Sequence, residues 1–227
     1  MKSPSQRCIR LFALVSLLFG AATNSQAAVI FTNLGAGDTY GTSSSWTLSV
    51  GSPIITNWDQ GAAFTTPAGP PLVLDKIELA VGTLEGANEL DVWFMSDAAG
   101  LPAALLEAFH FSGAMGPLED VNPLLSANSV VHPVLLPATQ YWLIASTTGP
   151  DAWAGWNLNS IGDTGPHAYR ENLAPWDVRN RARGAFRISA TSTTAPVPEP
   201  NSMVLLGIGA VGLFGAHFRR RKKTSAR

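Results

Sequence analysis

The stretch Leu72-Val73-Leu74-Asp75-Lys76-Ile77-Glu78-Leu79-Ala80-Val81-Gly82 decides how the chain folds. Its apolar residues fall at Leu72 and Leu74, then at Ile77, Leu79 and Val81, a period of two with a single one-residue shift. An extended strand sends successive side chains to opposite faces, whereas a helix repeats a face every third or fourth residue. The stretch therefore predicts a half-buried β-strand with a bulge near its middle.

The pattern continues on both sides. Further strand candidates lie at 29–32, 46–50, 61–65, 90–96, 105–112, 130–135, 141–146, 153–157 and 184–191. Turn clusters separate them: Asp97-Ala-Ala-Gly-Leu-Pro102, Ser112-Gly-Ala-Met-Gly-Pro117 and Gly162-Asp-Thr-Gly-Pro166. No segment sustains helical periodicity for three turns, and a short helix at 103–109 is the one rival assignment. There is no internal repeat. Many short strands about ten residues apart predict an all-β domain, an antiparallel β-sandwich of jelly-roll type, over residues 28–195. Those 168 residues are enough for one domain with its own core.

The two ends have other chemistry. Lys2, Arg7 and Arg10 precede an apolar run at 11–22 and the small-residue site Ser25-Gln26-Ala27. This order is that of a secretory signal peptide over 1–27, handed to the Sec translocon and cut between Ala27 and Ala28. Cys8 leaves with it, so the mature chain has no thiol for a disulfide, a nucleophile or a metal. At the other end Val197-Pro-Glu-Pro200 is followed by 16 residues without formal charge, 203–218, and then by Arg219-Arg-Arg-Lys-Lys223. Prolines deny a helix its donors, so Pro198 and Pro200 hold their segment extended. As a helix the apolar run is about 24 Å long, against about 30 Å of hydrocarbon, and flanking polar groups make up the difference. A transmembrane helix at 203–218 is expected, with the basic tail 219–227 cytoplasmic and everything upstream outside.

Pro198-Glu199-Pro200, the Gly-rich apolar run and Arg219, Arg220 and Arg221 together resemble the PEP-CTERM sorting signal of Gram-negative bacteria. The resemblance covers residues 196–227. It implies processing by an exosortase, a membrane-embedded enzyme, in bacteria that make extracellular polysaccharide. It also implies inner-membrane anchoring with a periplasmic ectodomain, followed by release to the cell surface or medium. A second resemblance spans about 30–190. Thr32-Asn-Leu-Gly35, Trp58-Asp-Gln-Gly-Ala-Ala-Phe64, Asp91-Val-Trp93, Gly100-Leu-Pro102, Thr139-Gln-Tyr-Trp-Leu143 and Trp153-Ala-Gly-Trp-Asn-Leu158 are similar to the choice-of-anchor R ectodomains. That family implies an exported domain and supplies no catalytic or binding residue to carry over.

Without its two ends, the exported region keeps six cations (Lys76, Arg170, Arg179, Arg181, Arg183, Arg187) against fifteen acids, about −9 net. Such a surface argues against nucleic acid as a partner. Arg179, Arg181, Arg183 and Arg187 read as a solvated edge. Outside the membrane the histidines are His110, His132 and His167, all expected at the surface, with no Gly-x-Ser-x-Gly beside them; Gly41-Thr-Ser-Ser-Ser45 reads as a loop. Their spacing suits no metal site. Glu85, Glu89, Asp91 and Glu107 offer carboxylates, but spacing alone brings no two together. Loops at Asp97 and Asp163 offer oxygen to calcium, though no Asp-x-Asp-x-Asp-Gly loop is present. No cofactor and no catalytic activity are expected. Leu136-Pro-Ala-Thr-Gln140 imitates a sortase motif but lacks its glycine and reads as a turn.

All seven tryptophans lie in the exported region. Flat indole faces either fill a sandwich core or stack on sugar rings. Trp153 and Trp156, three apart, point to opposite faces of a strand. Trp156 and Trp176, flanked by polar residues, are the candidates for glycan contact. The sequence thus describes an envelope-targeted, non-enzymatic matrix or structural protein, with polysaccharide binding through Trp156 and Trp176 as its alternative.

Overall fold

Residues 72–79 and 81–82 are strand in the computed structural model, which describes residues 27–51 and 56–193. The strands are β1 (Ala28–Thr32), β2 (Tyr40–Val50), β3 (Trp58–Thr65), β4 (Leu72–Leu79), β5 (Val81–Glu85), β6 (Glu89–Ala98), β7 (Leu101–Ser112) and β8 (Gly116–Pro117). They continue with β9 (Leu125–Asn128), β10 (Val134–Leu135), β11 (Gln140–Thr147), β12 (Ala152–Asn159), β13 (Thr164–Glu171), β14 (Asp177–Ala182) and β15 (Phe186–Ser192). Among the described residues there is no α-helix, and no helix is long and apolar enough to cross a membrane. The expected span at 203–218, the sorting residues and most of the signal peptide lie outside the described residues; Ala27 and Ala28 are exposed, and Ala28 opens β1.

The strands form the antiparallel sandwich that the alternation predicts. A small sheet runs β1-β15-β4-β10, with β9 also on β4. A large sheet runs β7-β6-β11-β3-β2-β12-β5-β8, with β13 on β3 and β14 on β13. Every pairing is antiparallel except β5 with β8. The bulge in the deciding stretch is Asp75: Lys76 faces Ser189 while Leu74 faces Ala190, so one residue of β4 has no partner on β15. That extra residue keeps Leu74, Ile77 and Leu79 all buried. Beyond Leu79 the chain changes sheets. Ala80 is the corner: its N–H donates to Ala185 O and its carbonyl accepts from Asn157 N, and Val81 then starts β5 in the large sheet.

Between the sheets Leu74, Ile77, Leu79 and Ile188 meet Leu48, Phe64, Val92, Phe94, Leu143 and Trp156. Each such side chain contributes about 1.5–3 kcal/mol by leaving water. The β6–β7 hairpin turns at Ala99 and Gly100, both with positive φ (54° and 80°), as the tightest hairpins need. Asp97 Oδ2 accepts from Gly100 N at 3.1 Å and fixes that turn.

Several expectations need correction. Residues 103–109 are strand, not helix, because alternate side chains such as Glu107 and Phe109 face inward. Of the candidate strand 130–135 only Val134–Leu135 pairs; the preceding loop is held by Glu107, whose Oε1 accepts from Val130 N and Val131 N. Residues 41–45 belong to β2. The cluster at 162–166 is turn only at its start, since β13 begins at Thr164, and β14 was not expected at all. The sortase-like stretch is a turn, with Ala138 at φ 47° and Leu136 O accepting from Thr66 Oγ1 at 2.6 Å.

Candidate functional site

Strand β11 is buried on both faces. Tyr141, Leu143 and Ala145 enter the core between the sheets, while Trp142 and Ile144 join Ala63 and Ala168 in a second cluster on the opposite face of the large sheet. Trp93, Met95, Trp176 and Val178 pack against that cluster, half-buried. The cover is the β13–β14 hairpin, anchored where β13 pairs with β3 from His167–Ala62 to Glu171–Trp58.

Two carboxylates, Asp97 and Asp59, fix this outer cluster. Trp142 Nε1 donates to Asp97 Oδ1 at 2.8 Å, and Gln140 Nε2 donates to the same oxygen at 2.7 Å. Arg170 Nε donates to Asp59 Oδ2 at 2.6 Å, with the Asp59 side chain only 10% exposed. The Arg170 guanidinium then lies 4.4 Å from the Trp176 ring centre and 5.7 Å from that of Trp93. Trp93, Met95, Leu105, Arg170 and Trp176 line an open recess of about 220 Å³ whose surface is wholly apolar.

The structure separates the two glycan candidates. Trp176 lines this cavity. Trp156 does not: it is fully buried, donates from Nε1 to Ala185 O at 3.0 Å and packs edge-on to Phe186. Gly184 lies so close beneath its ring that a Cβ there would come within 2.5 Å. Trp153 and Trp156 do face opposite ways, but Trp153 is the outer one. Arg170 and Trp93 complete the site without having been grouped by the sequence. The alternation of Ala168 and Arg170 was hidden behind Gly165 and Pro166.

The other candidates are arranged differently. His167, expected in a surface loop, is buried in β13, 4.4 Å from the Trp46 ring, and neither ring nitrogen has a partner among the described residues. Burial, and then the nearby Arg181, push its pKa down to about 4. His110 is exposed on β7 with Nδ1 at 2.7 Å from Asp91 and Nε2 at 3.1 Å from Glu89. The bond to Asp91 raises its pKa above the ordinary value. Ser112 Oγ donates to Glu89 at 2.7 Å rather than to His110, and both imidazole nitrogens face carboxylates. His132 sits in a loop at φ 52°. Glu85 is exposed, and Glu107 is buried with both oxygens accepting hydrogen bonds.

Of the arginines read as one edge, Arg179 and Arg181 are exposed. Arg183 and Arg187 are paired instead: Arg183 with Asp163, and Arg187 with Glu78 and Asp38. The Arg187 contact, against the opposing effect of burial, holds the Glu78 carboxyl below its usual value. Arg187 lines a second cavity of about 410 Å³, of mixed polar and apolar lining, with Tyr40, Asn122 and Leu124. At the two loops considered for calcium, Asp163 accepts from Arg183 and Asn33, and Asp97 accepts from Gly100, Gln140 and Trp142. Among the described residues no group of three or more His, Cys, Asp or Glu is placed to hold a metal ion.

A family model for the PEP-CTERM protein-sorting motif matches residues 196–221. No curated protein matches the chain. The motif marks an exported protein sorted to the cell envelope, and it implies recognition by an exosortase-type enzyme.

Proposed function

We propose, from the premise that the chain carries a PEP-CTERM protein-sorting motif at 196–221, that it is a non-enzymatic component of the cell surface or extracellular matrix. The motif carries this reading. The signal peptide at 1–27 delivers the chain to the Sec translocon, and the apolar run 203–218 holds the sandwich outside the inner membrane until the exosortase acts near Pro198, Glu199 and Pro200. The ectodomain is of choice-of-anchor R type. Two features support a non-catalytic role: both nitrogens of His110 face carboxylates, and Asp97, Glu107 and Asp163 already accept several protein hydrogen bonds.

The test is the intact mass of the protein from membrane and medium fractions of its native host. A mature mass ending near 197–200, found outside the inner membrane, is expected. A mass running to Arg227, confined to the inner membrane, would instead mean a plain anchor.

A second reading is favoured by the cavity between Trp93 and Trp176. Two half-buried indoles beside an open apolar recess suit the C–H face of a sugar ring, so the domain contacts extracellular polysaccharide there. Trp176 keeps its part in this reading; Trp93 takes the place of Trp156.

A further inference from the structure

We propose that the end of the sandwich from which the chain leaves at Thr193 is a lipid-facing foot, resting on the surface of the bilayer that holds residues 203–218. The proposal rests on the membrane-held reading of the tail given above, and names the protein surface that meets that membrane.

Loops from both sheets meet at that end, and hydrogen bonds join them. Thr193 Oγ1 donates at 3.0 Å to Pro71 O, in the loop 66–71 between β3 and β4. In that loop Thr66 N donates to Thr139 O at 3.0 Å, and Pro67 O accepts from Ala138 N at 3.2 Å. Thr139 and Ala138 belong to the loop 136–139 between β10 and β11. Gln140, which opens β11, donates to Asp97 beside the β6–β7 turn at Ala99 and Gly100. The result is one continuous surface around the exit of the chain. It shows Pro67, Pro70 and Pro71 to solvent, together with Val134, Leu136 and Leu101 at 57%, 55% and 42% exposure. Proline fixes φ, so these loops keep their shape and little freedom is lost on contact.

Charge and reach say what covers it. Residues 65–74, 98–106 and 133–150 contain no Lys, Arg, Asp or Glu. Asp97, beside the turn, has both oxygens accepting from Gly100, Gln140 and Trp142. The exported region nevertheless has a net charge of about −9, and exposed acids such as Glu85, Glu119 and Asp120 lie elsewhere. An acidic surface is repelled by anionic headgroups, whereas an uncharged end with exposed apolar side chains gains by entering the interface. Residues 194–202 separate Thr193 from the apolar run. Fully extended, those nine residues reach at most about 30 Å. Strand β7 alone, with 12 residues, is about 40 Å long. A tether of that reach keeps the exit end toward the bilayer and does not let the sandwich turn its far end there.

The experiment puts an environment-sensitive dye on single cysteines of the full chain, with Cys8→Ser as background. One dye sits at Leu136→Cys in the foot. The other sits at Glu85→Cys, exposed just before β6 begins and so at the opposite end of β6 from Asp97. Each chain is reconstituted into phosphatidylcholine vesicles with and without a spin-labelled quenching headgroup. Flotation with the vesicles is read first, and a chain left behind overturns both the membrane-held reading and the foot. In chains that float, quenching at 136 is expected to be about threefold stronger than at 85, because an interfacial apolar surface enters the headgroup layer. Adding Val134→Asp and Leu101→Asp, both at exposed positions, should remove that difference while flotation and the unfolding midpoint stay unchanged. Equal quenching at the two sites, or a difference that survives both aspartates, would overturn the foot and leave the anchor standing. A signal at 136 that changes with protein concentration in detergent, without lipid, would mean that a second copy covers this end and would overturn the assignment to lipid.

Discussion

The two faces of the large sheet are both apolar, yet they are built differently. Toward the small sheet, Phe64 lies within 5.6 Å of Phe31 and 6.1 Å of both Phe94 and Tyr141, and 6.3 Å from Phe186. That side is closed by rings packing on rings. On the other side Trp93, Trp142 and Trp176 are held by polar contacts, Trp142 by Asp97 and Trp176 by the Arg170–Asp59 pair, around a cavity. Close packing makes the inner face a source of stability. The outer face keeps an open apolar recess, which close packing would have filled. One strand, β11, serves both, since alternate residues of an extended chain answer to different neighbours.

Removing a ring from the inner face should therefore be the most damaging change. Trp156→Ala deletes a fully buried indole, removes one of the two donors to Ala185 O and opens a void above Gly184. The expected loss is about 3–5 kcal/mol, read by denaturant unfolding of the full chain. A cost below about 1 kcal/mol would mean that Trp156 is not part of a closed core, and the contrast between the faces would fail.

His167 supplies the next effect, through pH. Its pKa of about 4 lies below the ordinary 6.5 because burial disfavours the cation, with Arg181 adding to the effect. The unfolded chain therefore binds a proton that the folded chain refuses. Stability is full above about pH 6.5 and declines as pH falls toward 4, by about 3 kcal/mol in all. His167→Phe, which keeps a ring against Trp46, should flatten that part of the stability curve. An unchanged slope, or a His167 resonance titrating near 6.5, would show that the site is wet. His110 works in the opposite sense. Its raised pKa favours the fold below neutrality and ceases to do so as pH rises through that value.

How much of this the sequence revealed depends on distance along the chain. The bulge at Asp75 was legible because a broken period of two is a local signal. The change of sheet at Ala80 was not, since alternation runs on unbroken and neither Gly nor Pro marks the corner. Trp156 was misjudged from its polar neighbour Asn157, which is itself fully buried, with backbone bonds to Ala80 and Ala185 at the corner. β13 was lost because Gly165 and Pro166 look like a turn; Gly165 leaves room for the Arg183 guanidinium, 2.9 Å from where a Cβ would stand. The sorting motif was readable because its parts follow one another in order within one short segment. The cavity was not, because Trp93, Met95, Leu105, Arg170 and Trp176 meet only after three strands and a hairpin have been assembled.

The smallest expected effect is the one that separates the faces most sharply. Trp176→Ala removes a half-buried ring whose chief partner is the Arg170 guanidinium at 4.4 Å. A cation–π contact at such a site contributes about 0.5–2 kcal/mol, and Arg170 keeps its bond to Asp59 when the ring is gone. Unfolding of the full chain should therefore show a loss of about 1–2 kcal/mol, well under that of Trp156→Ala. If the two substitutions cost the same, the outer cluster is a second core and its cavity a packing defect. If Trp176→Ala is mild while sugar binding disappears, the ring is held at the surface for its ligand. Stability and recognition are then assigned to opposite sides of one sheet.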